Sequence, residues 1–591
     1  MRYLKILIVL MCLVAAGNIA FAQTWNKTYN LDLSSKDNWG LNFLNSGTIC
    51  QLDTTQVVNG KHPFHVLGDS NVIEYYNTTD FQMWGHVLLP EVRAGSECEL
   101  SVILRADTLS APIRLDAEVV DRNENVVASS HSSVKHLRGV WQEQTVKLSG
   151  LAKLNELRIA LRYQGKSRDR EEFWIDRFVI RINGENIGEW NVAERLPDAT
   201  AILDPKHTVP LDFDNDKADI PSCISGLDKQ RFIALGASTY GSLSIQKARL
   251  HMCRDLIRKH GVCYLIFEAD MMRMLALDLY VNGYDLNNID EFLDYYEAKD
   301  PFAGSEFIRF VEWVREYNRT RKHKVHLFGL NYLQYDSSTQ LFDGIMPDRS
   351  KDDNNILSIL RKLNADDNLQ KTLGNDMFKI LINTIIYSGF DVLKFGYIDA
   401  ERTDRIFRYI TDLDENIIPQ KSRAAVIADC DHVTYIHTAK VPYWDAAHFG
   451  HLMRERYGDD YFSIAFLPGR GEYLQDCYPD ERGQFADSLQ TPVAGSFEDA
   501  AINTGLEYLY YPSAHLDDNT VYMTDIERGG RYSLHYRLRA LGKRHDGYIF
   551  IRDNRPKEVI SPEDLGDWNP PQGIKLMFYY FKRIQRNDFG E

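Results

Sequence analysis

Between Thr24 and Arg195 apolar residues tend to recur at every second position. Cys98, Leu100, Val102 and Leu104 are spaced by Glu99, Ser101 and Ile103; Leu157, Ile159, Leu161 and Tyr163 are spaced by Arg158, Ala160 and Arg162. Phe178, Ile180 and Ile182 leave Arg181 on the opposite side. A strand turns successive side chains to opposite faces, so a period of two buries one face and wets the other. Broken by turn pairs such as Asn59-Gly60 and Asn183-Gly184, these runs predict an antiparallel β-sandwich over residues 23–195.

A polar segment, residues 196–224, follows; it carries Pro197, Pro205, Pro210, Pro221 and many aspartates, and reads as an interdomain linker. Beyond it, in residues 225–591, short apolar strands alternate with helical patterns. Arg231 to Leu235 reads as a strand, Ser242 to His260 as a helix with Ile245, Ala248, Met252, Leu256 and Ile257 at helical spacing, and Val262 to Phe267 as the next strand. Strand, helix and strand within some forty residues make a βαβ unit and hence a largely parallel sheet. Further strands are expected at 324–328, 424–428, 461–466 and 548–552, with helical stretches at 287–318 and 354–413. The fold class is therefore α/β, with an antiparallel jelly-roll-like sandwich in front of a parallel-sheet domain that carries a helical insertion.

The first residues read differently. Arg2 and Lys5 precede the apolar run Ile6 to Ala16, and Ala20-Phe21-Ala22 ends the stretch, which is the pattern of a cleaved secretory signal over residues 1–22. The run is shorter than the ~20 apolar residues a membrane span needs, and no later stretch supplies them. A periplasmic or secreted protein without a transmembrane segment is expected. The chain has 591 residues and a formal charge of −16, which becomes −18 without the signal. That balance argues against a nucleic-acid partner, whose phosphates call for clustered Lys and Arg. Seven cysteines follow the signal, an odd number with no CxxC pair, so core packing is the better expectation for most of them.

In open α/β sheets ligands bind beyond the carboxyl ends of the strands, and the polar residues there are the candidates. They are Ser238, Thr239 and Tyr240 after the first strand, Glu268 and Asp270 after the second, and Asn331 and Gln334 after the third. Asp429, Asp431 and His432 follow the fourth, and Arg470 and Glu472 the fifth. Arg249, two turns into the helix, could reach back toward Glu268. A histidine beside carboxylates and a guanidinium supplies what water activation requires: a proton acceptor near neutral pH, a group to orient it, and positive charge for a developing oxyanion. The loop Gly236 to Gly241 lacks the second glycine of a nucleophile elbow around Ser238 and the Lys-Ser/Thr ending of a nucleotide loop. His432, Asp429 and Asp431 have no second histidine at zinc spacing. No cofactor and no metal are expected.

Gly236-Ala237-Ser238-Thr239-Tyr240-Gly241, then Arg249, then Phe267-Glu268-Ala269-Asp270 resemble the opening motifs of the erythromycin esterase family, a Gly-Glu-x-x-His-Gly loop followed by an Arg and a Glu-Ala-Asp. Phe328 to Gln334, Ala428 to Val433, His451 to Tyr461 and Gly495 to Glu498 resemble later segments of that family, so the likeness runs from Arg231 to Asp553. In the sandwich, Phe173 to Phe178 resembles the closing strand of jelly-roll carbohydrate-binding modules, and Trp84, Trp141 and Trp174 could stack on sugars or pack in the core.

The likeness implies a hydrolase in which a loop histidine activates water, surrounded by the loop Glu, the helix Arg, the Glu-Ala-Asp glutamate and two later histidines. Here the loop Glu position is Ala237, the loop His position is Tyr240, and the first later His position is Asp429, while Arg249, Glu268 and His432 are kept. A tyrosine, with an unperturbed pKa of ~10, is a poor proton acceptor at neutral pH. Two readings follow. In one, an exported ester or lactone hydrolase has a remodelled site in which His432 is the base, oriented by Asp429 or Glu268, with Tyr240 and Arg249 on the oxyanion; Ser238, Asp270, Asn331, Gln334, Arg470 and Glu472 would contact substrate. In the other, the protein is a catalytically degenerate binder of a glycan or other exported ligand.

Overall fold

The computed structural model describes residues 25–558, apart from internal stretches of which the longest are 69–79, 389–398, 437–447, 475–485 and 526–534. The expected export signal, residues 1–22, lies outside the described residues, as does Gln334.

The alternating runs form two packed antiparallel sheets. One has the order Trp39–Leu41, Asp80–Leu88, Asn155–Gln164, Ile113–Asp121, Val126–Val134, and the other Thr48–Leu52, Phe64–Gly68, Glu172–Ile182, Glu97–Arg105, Gln142–Ser149. Leu100, Val102, Leu104, Leu157, Leu161 and Ile180 each have essentially no exposed surface and share one core between the sheets. Burial of that kind contributes ~1.5–3 kcal/mol per large aliphatic side chain. The strand Asn155–Gln164 is buried on its outward face too, at Glu156 and Ala160. The reason is tertiary: the strand His535–Arg539, from the far end of the chain, lies against it and against Asp80–Leu88. Trp174 is buried rather than offered to solvent; its indole N–H donates to Asp53 at 2.9 Å and its ring is stacked on His65 with Arg105 opposite.

The second half is built on a sheet with the order Val209–Pro210, Tyr508–Pro512, Gly547–Asn554, Tyr461–Leu474, Phe232–Ala237, Arg423–Asp429, Val262–Asp270, His326–Asn331. All neighbours are parallel except at the first two, which pair antiparallel. The expected parallel strands are all present, and several run two or more residues further toward their carboxyl ends. The antiparallel edge was not apparent in the sequence. Val209 and Pro210 fall in the polar segment read as a linker, and a proline that cannot donate to a ladder is tolerated at such an edge. Helices Met271–Val281, Ile289–Ala298 and Ser305–Arg319 lie in sequence between Val262–Asp270 and His326–Asn331, and helices Tyr335–Ile345, Ile356–Asn364, Asp367–Ser388 and Asp399–Asn416 between His326–Asn331 and Arg423–Asp429. Residues from all of these helices contribute to one large apolar core.

The helix Leu243–His260 begins where the Ser242 hydroxyl accepts the Ile245 N–H at 2.9 Å. It stops at Gly261, whose φ of 68° only glycine adopts freely. Cys98, Cys253 and Cys430 are buried, and Cys98, Cys223, Cys253 and Cys263 form no disulfide among the described residues. Burial pushes the Cys253 thiol up to about 12, which leaves it inert. Among the described residues, no helix is long and apolar enough to cross a membrane.

Candidate active site

Phe232–Ala237, Arg423–Asp429 and Val262–Asp270 are successive neighbours in the sheet, so parallel pairing brings their carboxyl ends to one edge. Two glycines let the loops close over it. A Cβ on Gly236 would lie 2.6 Å from the Cα of Cys430, and one on Gly241 2.0 Å from the Leu474 carbonyl oxygen. Neither glycine has room for a side chain, because the opposing atoms are backbone.

Glu268 is the hub. Its side chain is 2% exposed, and both carboxylate oxygens are engaged. Oε1 lies 2.9 Å from Nδ1 of His432. Oε2 accepts the Tyr240 hydroxyl at 2.6 Å and the Asp429 backbone N–H at 2.9 Å. Opposite an ionised, acceptor-only carboxylate, Nδ1 carries the proton, which leaves Nε2 of His432 as the acceptor. The His432 side chain is 32% exposed, so this nitrogen belongs to a ring that solvent reaches. The turn that carries it is wound on Asp429, whose carbonyl accepts the N–H groups of His432 and Val433 and whose Oδ1 accepts that of Asp431.

The remaining candidates occupy several environments. Tyr240 is 4% exposed. Arg249 is buried below it, with its guanidinium 5.9 Å from the phenol ring. Rather than reaching Glu268, Arg249 donates Nη1 to the carbonyls of Leu235 and Ala428, tying together the ends of two strands. Its pKa is lowered, chiefly by desolvation and against the pull of Tyr240, Asp429 and Glu268. Ser238 is buried, and its N–H continues the ladder to the Phe466 carbonyl. Asp270 caps the helix Met271–Val281 by accepting the N–H groups of Met272 and Arg273. Asn331 ends its strand next to Asp270. Arg470 and Glu472 are exposed on the long strand Tyr461–Leu474, where Arg470 pairs with Asp553 at 2.5 Å.

The sequence model of the erythromycin esterase family matches residues 257–377 and 399–554. The C-terminal region of the chain belongs to the erythromycin esterase family. The matched residues begin after the Gly236 to Gly241 loop and Arg249, so the loop substitutions precede them. Similar solved structures include a Bacillus cereus protein at 15% identity, covering 60% of this chain and 97% of that one with a TM-score of 0.44. A mutant of the erythromycin esterase EreC in its open conformation is similar at 15% identity, over 56% of this chain and 92% of that one, with a TM-score of 0.38. The module TmCBM61, in complex with beta-1,4-galactotriose, is similar at 12% identity, over 27% of this chain and 99% of that one, with a TM-score of 0.19. No curated protein matches the sequence.

Within the erythromycin esterase region, sequence reasoning overlooked two residues near His432. His448, just before the helix Phe449–Tyr457, has its ring 6.3 Å from that of His432. A histidine at a helix start, three residues before the recognisable His451 segment, was the available signal. Arg544, 112 positions after His432, forms an ion pair with Asp431 at 2.5 Å, and no local pattern marks it. Among the described residues no cluster of three or more His, Cys, Asp or Glu is arranged to hold a metal ion.

Proposed function

We propose that this protein is an exported ester or lactone hydrolase of the erythromycin esterase type, with a remodelled water-activating site in which His432 is the general base. The observation that carries the reading is the 2.9 Å contact between His432 Nδ1 and a buried glutamate oxygen, on a ring that remains one-third exposed. Glu268 fixes the tautomer and stabilises the imidazolium that forms when Nε2 takes a proton from water. The hydroxide equivalent adds to the ester carbonyl. Collapse of the tetrahedral adduct breaks the bond to the alcohol, and the imidazolium returns its proton to the leaving oxygen. Tyr240 is a support here, since its proton is committed to Glu268.

The test is a panel of lactones, acyl esters and acylated glycans, assayed with wild type and His432→Ala. Loss of a general base costs ~10²–10⁴ in rate. Equal rates in the two proteins would sink the proposal. An exported protein also loses residues 1–22, and mass spectrometry of the secreted or periplasmic product starting at Gln23 is the matching observation.

Tyr240 favours a second reading, a degenerate site that binds a glycan or other ligand. The position of the family's loop histidine is filled by a buried phenol, and Ala237 and Asp429 depart at two more positions. The double variant Ala237→Glu, Tyr240→His separates the two. Lactone hydrolysis gained by that variant, where wild type has none, would favour degeneracy.

A further inference from the structure

The turn Asp121–Asn125 at the tip of a sandwich hairpin reaches into the other half of the protein. Asp121 builds the turn by accepting the N–H groups of Asn123 and Asn125 on Oδ1. Glu124 sits in it at φ 59°, a left-handed conformation that a residue with a side chain adopts only when its surroundings hold it there. The Glu124 side chain is only 4% exposed. It accepts the Ala540 N–H at 2.8 Å and Nη1 of Arg544 at 2.8 Å, across more than four hundred positions of sequence. Arg158, on the neighbouring sandwich strand, stands 4.0 Å from the same carboxylate.

Arg544 passes the contact on. Its other prong, Nη2, binds Asp431 Oδ1 at 2.5 Å, and its carbonyl accepts the Tyr435 N–H at 2.9 Å and the Thr434 hydroxyl at 3.1 Å. One buried arginine therefore grips the segment 431–435 at three points, and its charge is shared between a carboxylate of the sandwich and one next to His432. A planar guanidinium spans two carboxylates in one fixed geometry, which a lysine cannot do.

We propose that the sandwich holds the His432 segment in register through the ion chain Glu124–Arg544–Asp431, and that Glu124 is a positioning residue for a site in the other half of the molecule. Its bearing on chemistry rests on the reading of His432 as the base. On this account the sandwich is a structural part of the site and not a tethered accessory, and the hairpin tip is where it acts.

The test uses the full chain with Glu124→Gln, which keeps the size of the side chain and removes its charge. Two observables report on the segment without requiring hydrolysis: hydrogen exchange of the amides of 430–435, and the pH midpoint of His432 acylation by diethyl pyrocarbonate, read by mass spectrometry. Besides Asp431, the titratable groups around His432 among the described residues include Glu268, Asp429 and His448. Loss of Glu124 takes the chain of three charges from −1 to neutral, so the midpoint moves to lower pH. Exchange quickens about tenfold, the scale of coupling within one ion network. In an Asp431→Asn background Glu124→Gln should quicken exchange no further, because the chain is already cut. A folded Glu124→Gln protein with both observables unchanged would overturn the assignment, as would an undiminished effect on exchange in the Asp431→Asn background. Should Glu124→Gln not fold, Arg544→Lys keeps the buried charge without the two-pronged reach, and unchanged exchange of 430–435 there overturns it equally. A wild type that hydrolyses no ester would defeat the proposed function and leave this test intact.

Discussion

Glu268→Gln is the substitution that most sharply tests the site. The carboxylate accepts three donors, from His432, Tyr240 and the Asp429 backbone, at 2.9, 2.6 and 2.9 Å. A glutamine has one acceptor oxygen and one donor nitrogen in the same volume, so one side must fail. If the amide nitrogen faces Asp429, that backbone N–H meets a donor and is left unsatisfied at a site 2% exposed, at a cost of ~1–3 kcal/mol. If it faces His432 instead, Nδ1 must accept and the proton moves to Nε2, the nitrogen that should take a proton from water. The first arrangement lowers stability and the second removes the base. The expected outcome is a fall in kcat of ~10²–10⁴ on any ester the wild type cleaves, with a smaller change in KM. Ester hydrolysis followed at pH 7.5, beside urea denaturation, reads both effects. A Glu268→Gln enzyme with kcat within a few-fold of wild type, and no loss of stability, would refute the carboxylate's assignment.

Three other outcomes follow from the same geometry. Tyr240→Phe removes one charge-assisted hydrogen bond and leaves Glu268 oriented by two donors; it should cost ~1.5–3 kcal/mol in urea melts while kcat falls far less than in Glu268→Gln, and a loss of activity equal to that of His432→Ala would instead make the phenol part of the chemistry. Arg249→Met strips the donor from the carbonyls of Leu235 and Ala428 and should destabilise by ~1–3 kcal/mol per orphaned carbonyl, whereas an unchanged unfolding midpoint would show that water replaces it. His545 is buried against Ser463, and desolvation, helped by Arg544, lowers its pKa from 6.5 to about 3. The unfolded chain binds a proton there that the folded chain refuses, so His545 lowers stability progressively as pH falls from about 6.5 toward 3. His545→Asn should flatten that slope in unfolding midpoints measured between pH 7 and 4, and an unaltered slope would count against it.

Much of this molecule is local in origin. The period-two runs around Leu100, Leu157 and Ile180 prescribe strands with one dry face, and the strand-helix-strand run from Phe232 to Asp270 prescribes two parallel strands of one sheet, because alternation and helical spacing are properties of short stretches. That Arg423–Asp429 lies between them is a matter of the sheet order. The same reach explains why Glu268, Asp429 and His432 could be named as candidates: each lies at or just past the end of an apolar strand, where an α/β sheet gathers its functional groups. Other features depended on contacts that no stretch of sequence contains. Arg249 was expected to face a carboxylate and instead braces two carbonyls, because the sheet order places Leu235 and Ala428 beside it. The outward face of Asn155–Gln164 is buried because a strand from residues 535–539 covers it. Glu124 stands at the tip of a hairpin, yet it is enclosed with Arg544. The sequence by itself determined which segments form strands and helices and which residue types stand at their ends. The tertiary structure decided which of those groups meet, since a hydrogen bond depends on distance in space and a local pattern extends only a few residues along the chain.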